Sequence, residues 1–422
     1  MSSGQFKVLK GMKDIMPPDI HIWQDVEKKA REIFASYGFL EIRTPAVEST
    51  SVFIRSIGEG TDIVEKEMYT FQDKGGRSIT LRPEGTASVV RCYVENNLHG
   101  LPSPQKFYYM GPMFRYERPQ SGRFRQFYQI GVEAFGSARP EMDAEVISML
   151  ARLLMGIGLQ ELHFQVNSIG DEKCRPAFKE ALLAFFAGRL DDLCSDCRRR
   201  YNQNPLRILD CKVERCVEIR KGAPRVIDYL CEDCRNHFDR LLELLGMLGI
   251  SYTVNPEMVR GLDYYARTTF EVTSENLGAQ NAVAAGGRYD RLVKEFGGPD
   301  TPAVGFALGM ERIVELLKTS LKYDLPAPKV FIAVIGERAG RKGLRIADDL
   351  REMGIWAELG DSMSSVKSQM RRADRLSAGL VFVIGDDEIQ SGMVRWKRLS
   401  DSATGEVRIS GIKDFIVDGM QA

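Results

Sequence analysis

QKFYYMGPMFRYERPQSGRFRQFYQIGVEAFG, residues 105–136, decides how the rest of the chain is read. Two aromatic-rich extended segments, QKFYYMGPMFRYE and QFYQIGVEAFG, flank RPQSGRFR, whose Arg118, Arg123 and Arg125 surround the flexible Gly122. That arrangement predicts a long antiparallel hairpin with a basic tip suited to phosphates. Strand side chains alternate between faces, so Arg115 and Glu117 share one face, and Phe127, Gln129, Gly131 and Glu133 share one on the return strand. If those faces coincide, the hairpin presents a cation, two carboxylates, an amide and a glycine gap with room for a ligand. Exposed charge by itself is commonly only solvated surface, so the weight of this reading rests on what other segments add.

The chain has 422 residues, enough for two or three domains. Lysine plus arginine equal aspartate plus glutamate at 58 each, so no global field drives it onto nucleic acid or membrane, and any polyanion must meet local patches. The N-terminal MSSGQFKVLKGMKDIMPPD lacks the apolar core of a signal peptide, and VFIAVIG and LVFVIG are too short to span a bilayer. These features predict a cytoplasmic protein, whose eight cysteines are thiols or metal ligands rather than disulfides.

Outward from the hairpin, Ile22, Val26, Ala30, Ile33, Phe34 and Tyr37 recur at helical spacing after Pro17-Pro18-Asp19 and stop at Gly38. FLEIRTPAVE follows, an extended segment whose Pro45 marks an edge or interface strand. Residues 140–155 read as helix and VNSIG (166–170) as a strand end. From about 171 to 250 the texture changes to charged, leucine-spaced helices rich in cysteine, which reads as an insertion. Strand character resumes at SYTVNP and runs through RGLDYYARTTFEVT, where cations, anions and phenols occupy both faces. AVAAGGRYDRL reads as a glycine turn, and PAVGFALGMERIVELLK as a glycine-rich strand entering a helix. Lys318–Lys329, with Pro326 and Pro328, reads as a linker. Beyond it KVFIAVIG, RKGLRIADDLREMG, IWAELG, SVKSQMRRADRLSAG, LVFVIG and MVRWKRLSD alternate as an α/β domain, with Gly354 and Gly379 expected to cap its helices.

Three short segments add ligand-facing groups. TLRPEGTA (80–87) supplies Glu84 and Thr86 in a tight turn. GFALGMERI brings backbone close to a ligand at Gly305 and Gly309 and sets Arg312 in the first turn of a helix, where free N–H groups already favour anions. RGLDYYARTTFE and AAGGRYDRL contribute Arg260, Tyr264, Tyr265 and Tyr289.

Together these segments resemble the three signature motifs of class II aminoacyl-tRNA synthetases: IFASYGFLEIRTP as the first, the hairpin as the second and GFALGMERI as the third. FRYERPQSGRFRQFYQ, RGLDYYARTTFE and AAGGRYD are similar to the histidyl-tRNA synthetase family in particular, and the likeness runs from KGMKDIMPPD to the C-terminal domain. The resemblance implies an α+β fold: a class II antiparallel sheet flanked by helices over residues 1–325, a helical insertion at about 171–250, and a C-terminal α/β anticodon-binding domain at 326–422. It implies ATP as a substrate with Mg2+, L-histidine, tRNA(His), and a homodimer built on the first motif. Arg115 would hold the α-phosphate and the amino-acid carboxylate, Glu117 the adenine amino group, and Arg123 and Arg312 the outer phosphates. Arg260 would stand in for a metal ion near the α-phosphate, making it and Arg115 the catalytic pair.

An imidazole offers one N–H and one bare nitrogen, so a selective pocket needs an acceptor and a donor. Glu133 would accept and Tyr264 donate, with Tyr265 and Tyr289 as walls; Glu84 would take the α-ammonium, with Thr86 and Gln129 nearby. In the insertion, C-x2-C pairs at Cys194 and Cys197 and at Cys231 and Cys234 form matched knuckles suited to one structural Zn2+, with Cys211 and Cys216 between them. In the C-terminal domain Lys367, Arg371 and Arg375 form one cationic helix stripe, and Arg395-Trp396-Lys397-Arg398 adds a basic strand with a stacking aromatic. A regulatory paralogue assisting a phosphoribosyltransferase would lack that domain and these charged residues. A plain RNA-binding module would have no use for polar groups in core strands.

Overall fold

Period-two alternation splits the central sheet into an apolar and a polar face, and that split places the site. The computed structural model describes residues 6–58, 61, 63–119, 122–258, 264–277, 281–320 and 326–421. Helix α1 (Asp19–Ser36) leads to strand β1 (Leu40–Glu41). Strands β2 (Val47–Ser49), β3 (Tyr69–Gln72) and β4 (Ser78–Leu81) form a small sheet, with α2 (Thr50–Ile57) between the first two in sequence and α3 (Thr86–Glu95) after the last. The expected hairpin is β5 (Gln105–Phe114) and β6 (Gln126–Phe135), paired antiparallel along their whole length. There follow α4 (Pro140–Gly156), β7 (Leu162–Ser168), α5 (Arg175–Ala187), α6 (Ser195–Gln203), α7 (Glu214–Arg220) and α8 (Glu232–Met247). Then come β8 (Tyr252–Val254), β9 (Ala266–Ser274), β10 (Ala282–Arg288), α9 (Leu292–Glu295), β11 (Ala303–Gly309) and α10 (Met310–Ser320).

Eight strands make one sheet in the order β1-β5-β6-β11-β10-β9-β7-β8. It is antiparallel except at its rims, where β1 lies parallel to β5 and β8 parallel to β7. The segment before Pro45 is thus an edge strand, as its proline suggests. One face carries Ile130 and Val132 of β6, Phe306 and Leu308 of β11 and Phe270 and Val272 of β9, packed with Val26, Ala30 and Phe34 of α1 and with apolar residues of α4, α8 and α10. Each such side chain contributes about 1.5–3 kcal/mol when fully buried, which holds the sheet flat against its helices. The other face is a floor of small residues: Ala307 pairs with Gly131, Gly305 with Glu133 and Gly287, and Gly309 with Gln129.

Two readings change here. AVAAGGRYDRL is not a turn but begins with strand β10, because tight packing overrides the local glycine signal: a Cβ on Gly286 would lie 2.3 Å from the Gly305 carbonyl oxygen and 2.5 Å from Phe270 Cζ. The 171–250 stretch is also not uniform. Phe238, Leu241, Leu244 and Leu245 of α8 belong to the large core, whereas Phe178, Leu182 and Phe186 of α5 share a second core with Tyr109, Tyr264, Tyr265 and Tyr289.

The chain divides into two units, Met1–Tyr323 and Asp324–Ala422. Helix α10 runs past Lys318 into the stretch read as a linker, and residues 321–325 of that stretch lie outside the described residues. The second unit comprises β12 (Val330–Val334), α11 (Glu337–Glu352), β13 (Ala357–Leu359), α12 (Val366–Arg375), β14 (Leu380–Ile384), α13 (Asp386–Ser391), β15 (Met393–Arg398), β16 (Thr404–Arg408) and α14 (Ile412–Gln421). Its sheet order is β13-β12-β14-β15-β16, parallel over the first three strands and antiparallel after. Gly354 (φ +74°) does follow α11 as a left-handed stop. After α12 that role falls to Ser377 (φ +52°), and Gly379 instead makes room for the Lys329 carbonyl, 2.9 Å from where its Cβ would be.

Candidate active site

The small-residue floor lies under a cavity of about 290 Å³. Glu84, Arg115, Glu117, Arg123, Gln129, Tyr265 and Arg312 all line it, together with Phe127, Ala307, Gly309 and Glu311. The hairpin, the turn before α3 and the start of α10 therefore converge as the sequence pattern requires. Arg115 donates from Nε to the Pro83 carbonyl at 2.8 Å, lies over the Phe127 ring and has Nη1 3.8 Å from Glu117 Oε1. Arg123 pairs with the other oxygen of Glu117. Arg312 donates to the Ala282 carbonyl. Burial holds the Arg312 guanidinium below its ordinary pKa, and repulsion from Arg123 and Arg115 adds to that. Cations crowded this way against a low-dielectric floor favour a polyanion between them. The side-chain oxygen of Gln129 is buried and has no hydrogen-bond partner among the described residues, so it points to a ligand donor.

Behind this cavity sits a closed polar cluster. Glu133 is only 1 % exposed. Thr86 donates its hydroxyl to Glu133 Oε1 at 2.7 Å, Tyr289 donates to Oε2, and the Tyr109 hydroxyl lies 3.4 Å from Oε1. Burial raises the Glu133 pKa to about 8 against the pull of those donors. Glu84 caps α3, accepting from Thr86 N at 2.6 Å and Ala87 N at 2.9 Å, and burial raises its pKa as well. Burial likewise holds the Tyr109, Tyr264 and Tyr289 phenols well above their ordinary range. The Tyr264 ring packs 4.6 Å from Tyr265 and edge-on, 5.6 Å, to Tyr289. Thr86, Glu133, Tyr264 and Tyr289 thus stand one layer behind the open cavity rather than on its wall. Arg260 lies outside the described residues.

Tyr109 is a member the sequence reading missed. The Gly131 gap, expected to admit a ligand, is filled by its ring: a Cβ on Gly131 would lie 2.2 Å from Tyr109 Cζ, and one on Gly85 2.2 Å from Cε2. Gly305 likewise makes room for Glu133 Oε2, 2.0 Å from its would-be Cβ, whereas Gly309 opens onto the cavity. Arg82 stitches the Glu84 turn to β5 through the Pro112 carbonyl and to the chain beyond β1 through the Thr44 carbonyl, both at 2.9 Å. Glu311, also missed, accepts from Tyr128 N at 3.0 Å, and burial raises its pKa to about 7.

A buried ion network fixes the sheet beneath. Arg288 reaches Asp143 at 2.7 Å and Asp290 at 3.0 Å, while Asp143 also takes the Thr268 hydroxyl at 2.6 Å and His237 Nε2 at 2.8 Å. Desolvation opposes the charge on Asp143, but Arg288 and His237 hold its pKa below the ordinary value. β10, α4, β9 and α8 are thereby locked together.

The matched cysteine knuckles do not share a site. Cys194 and Cys197 converge with Cys211 and Cys216, and Cys231 and Cys234 with Cys174 and Asp171. Each C-x2-C pair sits at the start of a different helix, α6 or α8, so chain topology parts them. In the second unit Lys367, Arg371 and Arg375 are exposed on α12, which Ser365 caps by accepting from Ser368 N at 3.3 Å.

An antiparallel sheet carrying an arginine-bearing hairpin, an edge strand after a long helix, and a glycine strand opening an arginine-bearing helix define a class II aminoacyl-tRNA synthetase. A family model described as histidyl-tRNA synthetase matches residues 11–170 and 211–313, and one described as anticodon binding domain matches residues 329–418. The chain is 52 % identical over 412 residues to the histidine–tRNA ligase of Thermodesulfovibrio yellowstonii, covering 98 % of each chain. It is 50 % identical to that of Syntrophotalea carbinolica, over 97 % of this chain and 98 % of that one. The crystal structure of histidyl-tRNA synthetase from S. aureus superposes with a TM-score of 0.84 at 37 % identity, covering 98 % of this chain and all of that one. The chain belongs to the histidyl-tRNA synthetase family.

Proposed function

We propose that the cavity joins L-histidine to ATP, forming histidyl-adenylate and pyrophosphate, and that the histidyl group then passes to the 3′ end of tRNA(His). The observation that carries this reading is the adjacency of a guanidinium-lined cavity to a closed carboxylate–phenol cluster behind it. In the first step the amino-acid carboxylate attacks the α-phosphorus, so charge grows on phosphoryl oxygens and on the leaving pyrophosphate. Fixed cations contribute most to such a step. Arg115 is assigned to the α-phosphate and the carboxylate, Arg123 and Arg312 to the outer phosphates, and Arg260, by its motif, to the neighbourhood of the α-phosphate. Glu117 is assigned to the adenine amino group; Arg123, now paired with it, would have to turn from it toward phosphate. Mg2+ would accompany ATP, held mainly by phosphate oxygens.

Glu133 and Tyr264 are assigned to the imidazole, with Tyr265 as a wall and Tyr289 behind it, holding Glu133. Glu84 is assigned to the α-ammonium, with Thr86 and Gln129 beside it. A ring without nitrogens would leave buried polar groups unpaired, which rejects it strongly without editing. The C-terminal unit would bind the anticodon arm of the tRNA, and the edge strand of the first motif would build a homodimer. Among the described residues no helix is long and apolar enough to cross a membrane, and the proposed setting is the cytoplasm. Histidine-dependent exchange of pyrophosphate into ATP tests the reading. Exchange with histidine but not phenylalanine or glutamine is expected; no exchange, or exchange with those amino acids at the same rate, refutes it.

A further inference from the structure

Between β7 and β8, α5 and α8 are anchored in the two cores, but α6 and α7 between them bring few apolar side chains of their own. Helix α6, SDCRRRYNQ, buries only Cys197, and α7, ERCVEIR, buries only Cys216. Helices of nine and seven residues are not stable alone, and beyond one buried cysteine each they offer the second core only the partly buried Tyr201 and Ile219. We propose that this stretch is held by two mononuclear zinc ions, one bound by Cys194, Cys197, Cys211 and Cys216, the other by Cys174, Cys231, Cys234 and Asp171.

In each quartet the ligand atoms all lie within 4.8 Å of one another, and Cys194 Sγ is 3.9 Å from Cys211 Sγ. Tetrahedral zinc with Zn–S bonds of about 2.3 Å has sulfur–sulfur edges of about 3.8 Å, so thiolates close on one ion with little movement. A multi-iron cluster would need the sulfurs spread around several metals. Both quartets also share one construction. Cys194 is the N-cap of α6 (φ −65°, ψ 162°) and Cys231 the N-cap of α8 (φ −67°, ψ 164°), each with its second cysteine three residues on. Main-chain N–H groups already face the sulfurs: Cys197 N to Cys194 Sγ at 3.4 Å, Cys194 N to Cys216 Sγ at 3.3 Å, and Cys231 N to Cys174 Sγ at 3.1 Å. Such donors, with a helix N-terminus, stabilise thiolate ligands and fix their orientation.

Seven of the eight cysteines are used in this way, leaving Cys92 on α3. The second quartet joins the two roots of the stretch, just after β7 and at the start of α8. There Ile169 N donates to the Arg267 carbonyl and Arg267 N to that of Gly170, both at 2.8 Å, and Arg175 reaches the carbonyl of Tyr265 on the cavity wall. The proposal does not depend on the histidine reading, since metal content is measured without turnover.

The test is elemental analysis of purified full-length protein, equilibrated with zinc chloride under reducing conditions and then desalted. Two zinc ions per chain are expected, falling to one in Cys211→Ser/Cys216→Ser and to one in Cys231→Ser/Cys234→Ser. Should a double variant fail to fold, cobalt substitution of the unaltered chain decides. Two equivalents of Co2+ should bind with intense thiolate charge-transfer bands and tetrahedral ligand-field absorption. Fewer than two ions in the unaltered chain, iron in place of zinc, or a six-coordinate cobalt spectrum overturns the proposal.

Discussion

Gly131→Ala probes whether the tyrosine layer, rather than open space, shapes the amino-acid end of the cavity. Alanine in a strand interior would ordinarily be favoured over glycine by about 0.5–1 kcal/mol, and Gly131 has no positive φ to forbid it. Its Cβ, however, would stand 2.2 Å from Tyr109 Cζ and 2.3 Å from the hydroxyl. Ordinary carbon contacts fall at about 3.5–4 Å, so the ring must recede by more than 1 Å. Its far side is closed by the Gly85 turn, where a Cβ would meet Cε2 at 2.2 Å. Overpacking of this kind costs about 1–3 kcal/mol, which exceeds the backbone gain. Because the Tyr109 hydroxyl faces Glu133 Oε1 at 3.4 Å, the strain enters the site. The expected loss is about 5- to 150-fold in kcat/KM for histidine, measured by pyrophosphate exchange, with KM for ATP nearly unchanged and a lowered Tm. Adding Tyr109→Leu removes the clashing atoms, so Tm should recover while the histidine defect persists. Unchanged histidine kinetics in Gly131→Ala, or equal losses for histidine and ATP, would refute the reasoning.

Glu133→Gln should weaken histidine far more than ATP. It should also change a pH dependence: Glu133 binds its proton more tightly folded than unfolded, so its contribution to stability is full below the ordinary carboxyl pKa and is lost as pH rises through about 8. The Tm of the unaltered chain should therefore fall, relative to that of Glu133→Gln, between about pH 4.5 and 8 and run parallel above it; parallel curves throughout would place the proton elsewhere. Arg288→Ala leaves Asp143 buried without its main cation and should cost about 3–5 kcal/mol in urea unfolding, whereas a near-normal midpoint would show that His237 and Thr268 suffice. Arg371→Glu with Arg375→Glu should raise KM for tRNA by about tenfold or more, through lost phosphate contacts, and leave pyrophosphate exchange untouched; normal charging would remove α12 from the RNA surface.

The hairpin was legible because its alternation and its basic tip are local properties of the chain. Glu133 and Gln129 followed from the same period of two. Tyr109 was not legible, because whether a ligand or a neighbour fills the Gly131 gap depends on the cross-strand register, which no single segment fixes. β10 was misread for a related reason: Gly286 and Gly287 carry a turn signal, yet they are needed where the backbones of β9, β10 and β11 crowd together. The Arg288–Asp143–His237–Thr268 network joins residues up to 145 positions apart and leaves no spacing to detect. The cysteines show the boundary most clearly. Each C-x2-C pair could be read from spacing, but which pair completes which quartet depends on where α6 and α8 begin in space.

The two ends of the site differ in how their polar groups are satisfied. At the Glu133 end the carboxyl group already holds donors from Thr86 and Tyr289, so on the proposed assignment an entering ring gains only if it offers nitrogens that fit this arrangement. Any other ring adds desolvation without compensation, and selectivity there follows from buried bonds that a wrong ring would break or leave unmet. At the Arg115 end the situation is reversed. Burial, and then repulsion from Arg123 and Arg115, lowers the Arg312 pKa, and the Gln129 oxygen has no hydrogen-bond partner among the described residues, so a polyphosphate would add favourable contacts there. The gain from filling that end is therefore electrostatic, indifferent to the amino acid, and largest where phosphoryl charge grows. On the proposed assignment one sheet separates choosing the amino acid from activating it, which is why Gly131→Ala should burden histidine and spare ATP.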